Sequence, residues 1–200
     1  MSIYLVLMKK MKLYKVLIFV LLVTFLFNCN KGKDIVTVDL GYDYYPLNIG
    51  NEWVYDVQLI SLTILGDDTL NYQLKEVVVE KVEGGDEANY LLYRYKRFSD
   101  TTIWKIDSVW SVKKEERYLV KTENNVRYQK LAFGVSSGLT WDGNIWNIFE
   151  ERIYTIVSLG AAYLLGEDEY TDVLEVEQKN ETNLILSIDN RELYARGVGL

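Results

Sequence analysis

Apolar and polar residues alternate along most of the chain from Glu52 onward. In the segment 52–60, EWVYDVQLI, every second residue from Trp53 to Leu59 is apolar, and the residues between them are mostly polar. This two-residue period is typical of a β-strand with one buried face. The same period recurs in the segments 71–82, 88–98, 116–122, 125–133, 151–159, 172–178 and 182–188. Each segment therefore predicts a strand.

Short polar segments separate the predicted strands. They are GDD (66–68), EGGDE (83–87), ENN (123–125), SSG (136–138), DGN (142–144), GEDE (166–169) and IDN (188–190). Gly, Asn and Asp favour turns because they tolerate a left-handed backbone or bond to their own backbone. The single proline, Pro46, precedes the first strand, where it removes no hydrogen bond from a sheet.

The pattern predicts an all-β fold without crossover helices. Many short strands joined by tight turns favour an antiparallel meander of about 8–10 strands in one domain. A sheet of this size either curls into a barrel or half-barrel or forms two stacked sheets. We favour the curled, half-barrel or barrel-like sheet.

The amino-terminal segment has the layout of a secretory signal. Four lysines between residues 9 and 15 precede the apolar run Val16–Phe27, which only Thr24 interrupts. This run of twelve residues is shorter than the roughly 20 that a transmembrane helix needs. The mixed segment that follows predicts a tether over residues 29–41 and a single β domain over 42–200.

The only cysteine, Cys29, follows this apolar run. The sequence Leu26-Phe27-Asn28-Cys29 resembles a bacterial lipobox, in which a leucine three residues before a cysteine marks cleavage and lipid attachment. The resemblance implies a lipoprotein signal peptide over residues 1–28 and an acylated Cys29 carrying palmitate-type chains, which together anchor a protein stably. The alternative is an ordinary secretory signal with an incidental cysteine.

Composition excludes several classes of function. The chain has no histidine, which excludes Ser-His-Asp and Cys-His catalysis and His-ligated zinc. Without residues 1–28 it keeps 18 basic against 29 acidic residues, a net charge of −11, so we expect no nucleic-acid partner. No glycine-rich phosphate loop is present. We therefore expect no cofactor and no enzymatic activity, although a pair of carboxylates would suffice for a glycosidase.

Three sequence blocks resemble a family of uncharacterised cell-envelope lipoproteins from Bacteroidota. They are YYPLNIGNEWVY (44–55), LTWDGNIWN (139–147) and YARGVGL (194–200). The family carries Y-P-L-x-x-G-N-x-W-x-Y, W-D-G-N and Y-x-x-G-V-G-L blocks in this order. Its last block usually continues as a final strand, so the resemblance leaves open whether the chain extends beyond Leu200. It implies a β-rich lipoprotein and no particular activity.

Several residues are candidates for binding, each with a structural alternative. Trp53, Trp141 and Trp146 either pack in the core or form an aromatic platform for a glycan or lipid; we favour the core. Asp142 and Asn144 would need further oxygen ligands to hold calcium, so we favour a turn. The acidic residues Glu167, Asp168, Glu169 and Asp172 are typical of a solvated loop, and we expect no metal site.

Three short motifs resemble the D-[ST]-hydrophobic sites at which Bacteroidota attach O-glycans to exported proteins. They begin at Asp68, Asp100 and Asp107 and would place glycans on Thr69, Thr101 and Ser108. The alternative is that each motif is a turn followed by the start of a strand.

Taken together, these features predict an outer-membrane-anchored lipoprotein with a non-catalytic structural or interaction role. Its partners would be the membrane, through the lipid anchor, and another envelope protein. One alternative is a carrier or sensor for an apolar ligand or lipid in a curled sheet, which would require an open apolar concave face. The other is a carboxylate-based glycosidase.

Overall fold

The structure, a computed structural model, describes residues 38–64, 66–82, 88–184 and 186–200. In these residues a short 3₁₀ helix, Tyr42–Tyr44, precedes ten strands. The strands are β1 (Glu52–Thr63), β2 (Gly66–Val82), β3 (Asn89–Arg97), β4 (Lys105–Lys114), β5 (Tyr118–Glu123), β6 (Val126–Ala132), β7 (Thr140–Asp142), β8 (Ile153–Leu165), β9 (Asp168–Thr182) and β10 (Ser187–Ala195).

The strands form two antiparallel sheets. The first is a six-stranded meander, β1 to β6 in chain order, that curls into a half-barrel. The second has four strands in the order β10-β9-β8-β7. The predicted all-β antiparallel fold is confirmed. The curled sheet and the two-sheet arrangement, which the sequence offered as alternatives, occur together.

Three strands, β4, β7 and β10, were not predicted from the sequence. Strand β4 was missed because Ser108 and Lys114 share its inner face with Trp110 and Val112, so that its apolar period is weak. Strand β7 has only three residues, too few to show a period.

The predicted strand 182–188 and the predicted turn IDN (188–190) are both wrong. Strand β9 ends at Thr182, and a turn follows in which the Asn183 side chain accepts a hydrogen bond from the Leu186 backbone N–H. This side-chain bond offers the backbone an alternative to the ladder. The segment IDN instead lies in β10, opposite residues 179–181 of β9.

The other predicted turns agree with the structure to different degrees. Gly66 pairs with Thr63, so the segment GDD belongs to β2 and the chain reverses before Gly66. Asn124 and Asn125 both have positive φ, as predicted for a tight turn between β5 and β6. The segment EGGDE lies outside the described residues.

Residues 38–200 form one compact unit with a core drawn from both sheets. Val78, Leu92 and Val112 of the first sheet are fully buried, as are Ile156 and Val176 of the second. Burying such a side chain stabilises the fold by about 1.5–3 kcal/mol. The segment 38–51 before β1, which we call the lead-in, joins this core through Tyr44, Tyr45 and Leu47. The described body therefore begins upstream of residue 42, the residue at which the β domain was predicted to start.

Candidate functional site: the sheet junction and the lead-in

A chain of alternating basic and acidic side chains runs through the interior of the protein. In spatial order it consists of Arg94, Glu76, Lys121, Glu123, Lys130 and Glu192, and consecutive nitrogen and oxygen atoms are 2.5–3.9 Å apart. Within these six residues the three positive charges equal the three negative ones, and the more exposed Asp107 lies 3.9 Å from Arg94 at the outer end. Because removing an unpaired charge from water is very unfavourable, this alternation is what permits the burial.

The strand register explains how Glu76, Arg94 and Lys121 meet. Glu76 lies directly opposite Arg94 on β2 and β3, and Lys121 lies opposite the buried Val112 on β5 and β4. The indole ring of Trp110 covers them, with its centroid 3.4 Å from the Arg94 guanidinium carbon and 4.7 Å from Lys121 Nζ. A cation over an indole face is further stabilised by the ring quadrupole.

The pair Lys130–Glu192 joins the two sheets. Lys130 lies on β6 at a bulge and has no partner on β5, whereas Glu192 lies on β10. A bulge redirects a side chain, and here Lys130 Nζ donates to Glu192 Oε1 at 2.5 Å. Burial disfavours charge on Lys130, but Glu192 and Glu123 outweigh it and raise its pKa. Burial likewise opposes charge on Glu192, but Lys130 outweighs it and lowers the pKa of the carboxyl.

Two buried tyrosines complete this junction. The Tyr194 hydroxyl donates to Glu192 Oε2 at 2.5 Å, and burial together with that carboxylate raises the Tyr194 pKa well above its ordinary value. The Tyr45 ring centroid lies 6.2 Å from that of Tyr194. These pKa shifts keep Glu192 ionised at neutral pH and keep the Tyr194 hydroxyl protonated, so that it remains the neutral donor to this carboxylate.

A second polar cluster holds the lead-in. The Arg196 guanidinium donates to Asp39, Asp43 and Asp172 at 2.7, 2.5 and 2.6 Å. It also lies over the Tyr44 ring, 4.4 Å from its centroid. Bonds to several carboxylates fix a guanidinium well because its donors have a rigid fork geometry. We call these five residues the lead-in clamp.

Hydrogen bonds inside the lead-in clamp shift several pKa values. The Gly41 backbone N–H and Arg196 lower the pKa of Asp39, and the Tyr44 hydroxyl and Arg196 lower that of Asp172. Burial and the bond to Asp172 raise the pKa of Tyr44 to about 12. All of these pKa shifts favour the charge states that make the bonds of the lead-in clamp: ionised Asp39 and Asp172 and a protonated Tyr44 hydroxyl.

Lys114 holds the lead-in from the other side. Its Nζ donates to the carbonyl oxygens of Tyr42 and Tyr45 at 2.8 and 2.6 Å. Burial lowers the Lys114 pKa, partly offset by Asp43. The chain entering the body is therefore fixed by side chains far away in sequence.

The first and third sequence blocks meet in space. Trp53 Nε1 donates to the Val198 carbonyl at 2.5 Å, and the Tyr55 hydroxyl donates to the Leu200 carbonyl at 3.1 Å. Gly199 lies so close that a Cβ on it would approach Trp53 Nε1 to 2.9 Å. These residues therefore have packing roles.

The second block folds a loop onto the end of β7. Asp142 Oδ1 accepts hydrogen bonds from the backbone N–H groups of Asn144 and Arg152, both at 2.9 Å. Trp141 Nε1 donates to the Gln129 carbonyl at 2.9 Å. Asp142 and Asn144 thus form the predicted turn. Among the described residues, no group of three or more Asp, Glu, Cys or His side chains is placed to hold a metal ion.

The predicted site residues do not form a common surface. Trp53 and Trp141 are 9% and 8% exposed, whereas Trp146 is 48% exposed, so two of the three proposed platform residues lie in the core. Of the acidic group 167–172, Glu167, Asp168 and Glu169 are exposed, and Asp172 belongs to the lead-in clamp.

The modification sites have different surroundings. Thr69 on β2 and Thr101 in the β3–β4 turn are exposed, whereas Ser108 on β4 is partly buried and donates to Asp107. Glycosylation of all three stays a prediction. Cys29, the predicted site of lipid attachment, and most of the predicted tether lie outside the described residues.

Sequence reasoning missed the interior charges. Their signal was present: Glu76 and Arg94 have the same strand parity as the core residues Val78 and Leu92. A charge at an inward position indicates a buried partner, but the alternation alone does not say on which strand that partner lies.

Surface grooves lie where β3 ends and the β1–β2 hairpin continues. One, of about 490 Å³, is lined by Val57, Tyr72 and Phe98 together with polar residues. Another, of about 520 Å³, is lined by Phe98, Ile103, Ile106 and neighbouring residues. Lys96 Nζ lies 3.8 Å from the Tyr72 ring centroid and connects the two.

Comparison with known proteins gives no relative. No family model matches the chain, and neither a curated protein nor a solved structure matches it. In the part of the chain that the structure describes, no helix is long and apolar enough to cross a bilayer.

Proposed function

We propose that the protein is an outer-membrane lipoprotein, anchored through Cys29, whose β body has a non-catalytic interaction role. The lead-in clamp is the observation that carries the proposal. It fixes the chain to the body at Asp39, near the end of the predicted tether 29–41, and at Asp43, just after it. A body suspended from a lipid needs such a fixed point, because otherwise the lead-in would peel away from the core.

The tether sets how far the body reaches. The nine residues from Cys29 to Thr37 span at most about 30 Å when extended. A body so close to the membrane meets other envelope proteins more readily than soluble substrates.

The interior supports an interaction role over the carrier alternative. Tyr45 is buried against Trp53 and Tyr194, so aromatic side chains of the protein itself fill this part of the core. Beside it runs the neutralised chain of charges, which an apolar ligand would have to desolvate further. For the carrier alternative, the candidate binding site for an apolar ligand is the surface groove lined by Phe98 and Ile103.

Metabolic labelling of the full chain tests the anchor. Expressed in a bacterium that processes lipoproteins, the wild type should incorporate labelled palmitate and sediment with membranes. Cys29→Ala should lose the label, whereas the adjacent control Asn30→Ala should keep it. An unlabelled wild type, or a Cys29→Ala variant that still incorporates labelled palmitate, would contradict the proposal.

A further inference from the structure

Strand β1 lies at the edge of the six-stranded sheet and extends well past its third strand. The pairing of β3 with β2 ends at Arg97 opposite Gln73, whereas β1 and β2 remain paired as far as Thr63 opposite Gly66. Among the described residues, no strand pairs with the other side of β1. An isolated two-stranded ribbon is marginally stable in water.

Strands β1 and β2 form a two-stranded ribbon beyond the end of β3. The alternation of hydrogen-bonded positions between them shows which backbone groups of β1 have no partner on β2. The Val78 backbone N–H donates to the Asn51 carbonyl at 2.9 Å, so Asn51 occupies a hydrogen-bonded position against β2. Hydrogen-bonded positions alternate along an antiparallel pair. The N–H and C=O groups of the intervening residues therefore point away from β2; these residues are Val54, Asp56, Gln58, Ile60 and Leu62.

The far half of β1 has the composition of a strand that pairs with another chain. The segment 57–64, VQLISLTI, contains no charged residue, no glycine and no proline. Leu59, Ile60 and Leu62 expose 53%, 54% and 79% of their surface. Exposed edge strands of this kind are templates for strand addition.

The other long edges carry features that oppose pairing. Strand β10 carries the exposed charged residues Asp189 and Arg191. Strand β8 has three register irregularities and a left-handed Gly160 at φ 75°, which distort its ladder. Strand β6 is occupied at Gln129, whose N–H donates to the Gly143 carbonyl. Strand β1 has neither charges in its far half nor any irregularity against β2.

We propose that β1 pairs with β1 of a second copy of this chain, antiparallel, about a two-fold axis at Gln58. A two-fold axis perpendicular to the sheet presents the same edge to itself in antiparallel orientation. The register then places Val54 opposite Leu62 on one face and Val57 opposite Leu59 on the other. Asp56 faces Ile60, so no like charges are opposed, and Gln58 faces its own counterpart.

Charge and length argue for a second copy as the occupant. The uncharged far half of the β1 edge favours a partner strand with apolar residues on both faces, and within the paired segment 54–62 of β1 the one charged residue is Asp56, which faces Ile60. The pairing forms about ten backbone hydrogen bonds, since five residue pairs each exchange two. That number is typical of a specific interface. The inference does not depend on the lipid anchor and is tested separately from it.

Cysteine cross-linking of the full chain tests the register. With Cys29→Ser removing the native thiol, Gln58→Cys should form a disulfide-linked dimer under mild oxidation, because paired Cα atoms at this position would be about 5.5 Å apart. Asn71→Cys, opposite Gln58 on β2, is also exposed but lies one strand away from the free edge of β1. It should cross-link at least tenfold less.

A charge on the edge tests the association without cysteine. Ile60→Lys should weaken self-association of the full chain in detergent at least tenfold by sedimentation velocity, whereas Thr69→Lys, on the opposite strand of the ribbon, should leave it unchanged. A monomeric wild type at about 100 μM, equal cross-linking at positions 58 and 71, or cross-linking of Gln58→Cys only to a different protein would each overturn the proposal.

Discussion

Single residues in the three sequence blocks 44–55, 139–147 and 194–200 act through close packing. Gly143 lies against the ring of Tyr154, where a Cβ would approach Cζ to 2.3 Å. Its carbonyl accepts the Gln129 N–H and so connects the loop after β7 with β6. A side chain at this position must displace either the ring or this connection.

Gly143→Ala should therefore lower the free energy of unfolding by about 3 kcal/mol, as overpacking of a core does. Urea denaturation measures it. The control is Gly134→Ala, where a Cβ meets nothing within 4 Å but φ is +81°. It should lose only about 1–2 kcal/mol through backbone strain. Equal losses in the two variants would show that contact with Tyr154 is unimportant.

At the scale of an element, the lead-in is held by distant side chains. It has no strand partner of its own, yet Tyr44 and Tyr45 are almost fully buried. Arg196 and Lys114 bond to it through their side chains, and the backbone N–H groups of Gly134 and Gly197 donate to its carbonyls. The stability of this element therefore depends on charge, and hence on pH.

Arg196→Gln should lower the free energy of unfolding by about 1–2 kcal/mol at neutral pH, since exposed ion pairs contribute about 0.2–1 kcal/mol each. The pKa values of Asp39 and Asp172 are lowered in the folded protein from the ordinary value of 3.8. Their stabilisation is present above that value and is lost as the pH falls through the lowered pKa values. The midpoint temperature of thermal unfolding should therefore differ between wild type and variant at neutral pH, and the difference should vanish in acid once both carboxyl groups are protonated. A constant difference would contradict the role of these carboxylates.

At the scale of the whole molecule, the two sheets are joined by a buried ion pair as well as by apolar contact. The side chains of Lys130 and Glu192 are 8% and 17% exposed, one on each sheet. Each neutralises the other, so the loss of one leaves a buried charge unpaired.

Lys130→Met should lower the free energy of unfolding by about 3–5 kcal/mol, and adding Glu192→Gln should recover at least half of the loss, because both buried charges are then absent. Chemical denaturation of the single and double variants measures this. Lys179→Met, which breaks the exposed pair with Glu181, is the control and should change stability by less than about 1 kcal/mol. Absence of recovery in the double variant would show that Lys130 acts through packing alone.

The local pattern predicted those elements whose own residues determine them. Alternation is sufficient for β1 because its inner residues Trp53, Tyr55 and Val57 are all apolar. Asn124 and Asn125 predict their turn because these residues accept positive φ. The sequence by itself thus determined the strand-rich, antiparallel class of the protein.

Tertiary structure alone decided where polar residues could be buried. Lys114 fits an inner position on β4 only because the carbonyls of Tyr42 and Tyr45 arrive from a distant segment. Lys130 is buried because a bulge turns it toward Glu192 on the other sheet. The free edge of β1 likewise depends on strand order. Each outcome depends on a partner remote in sequence, whereas alternation reports only the preference of each residue for water or core.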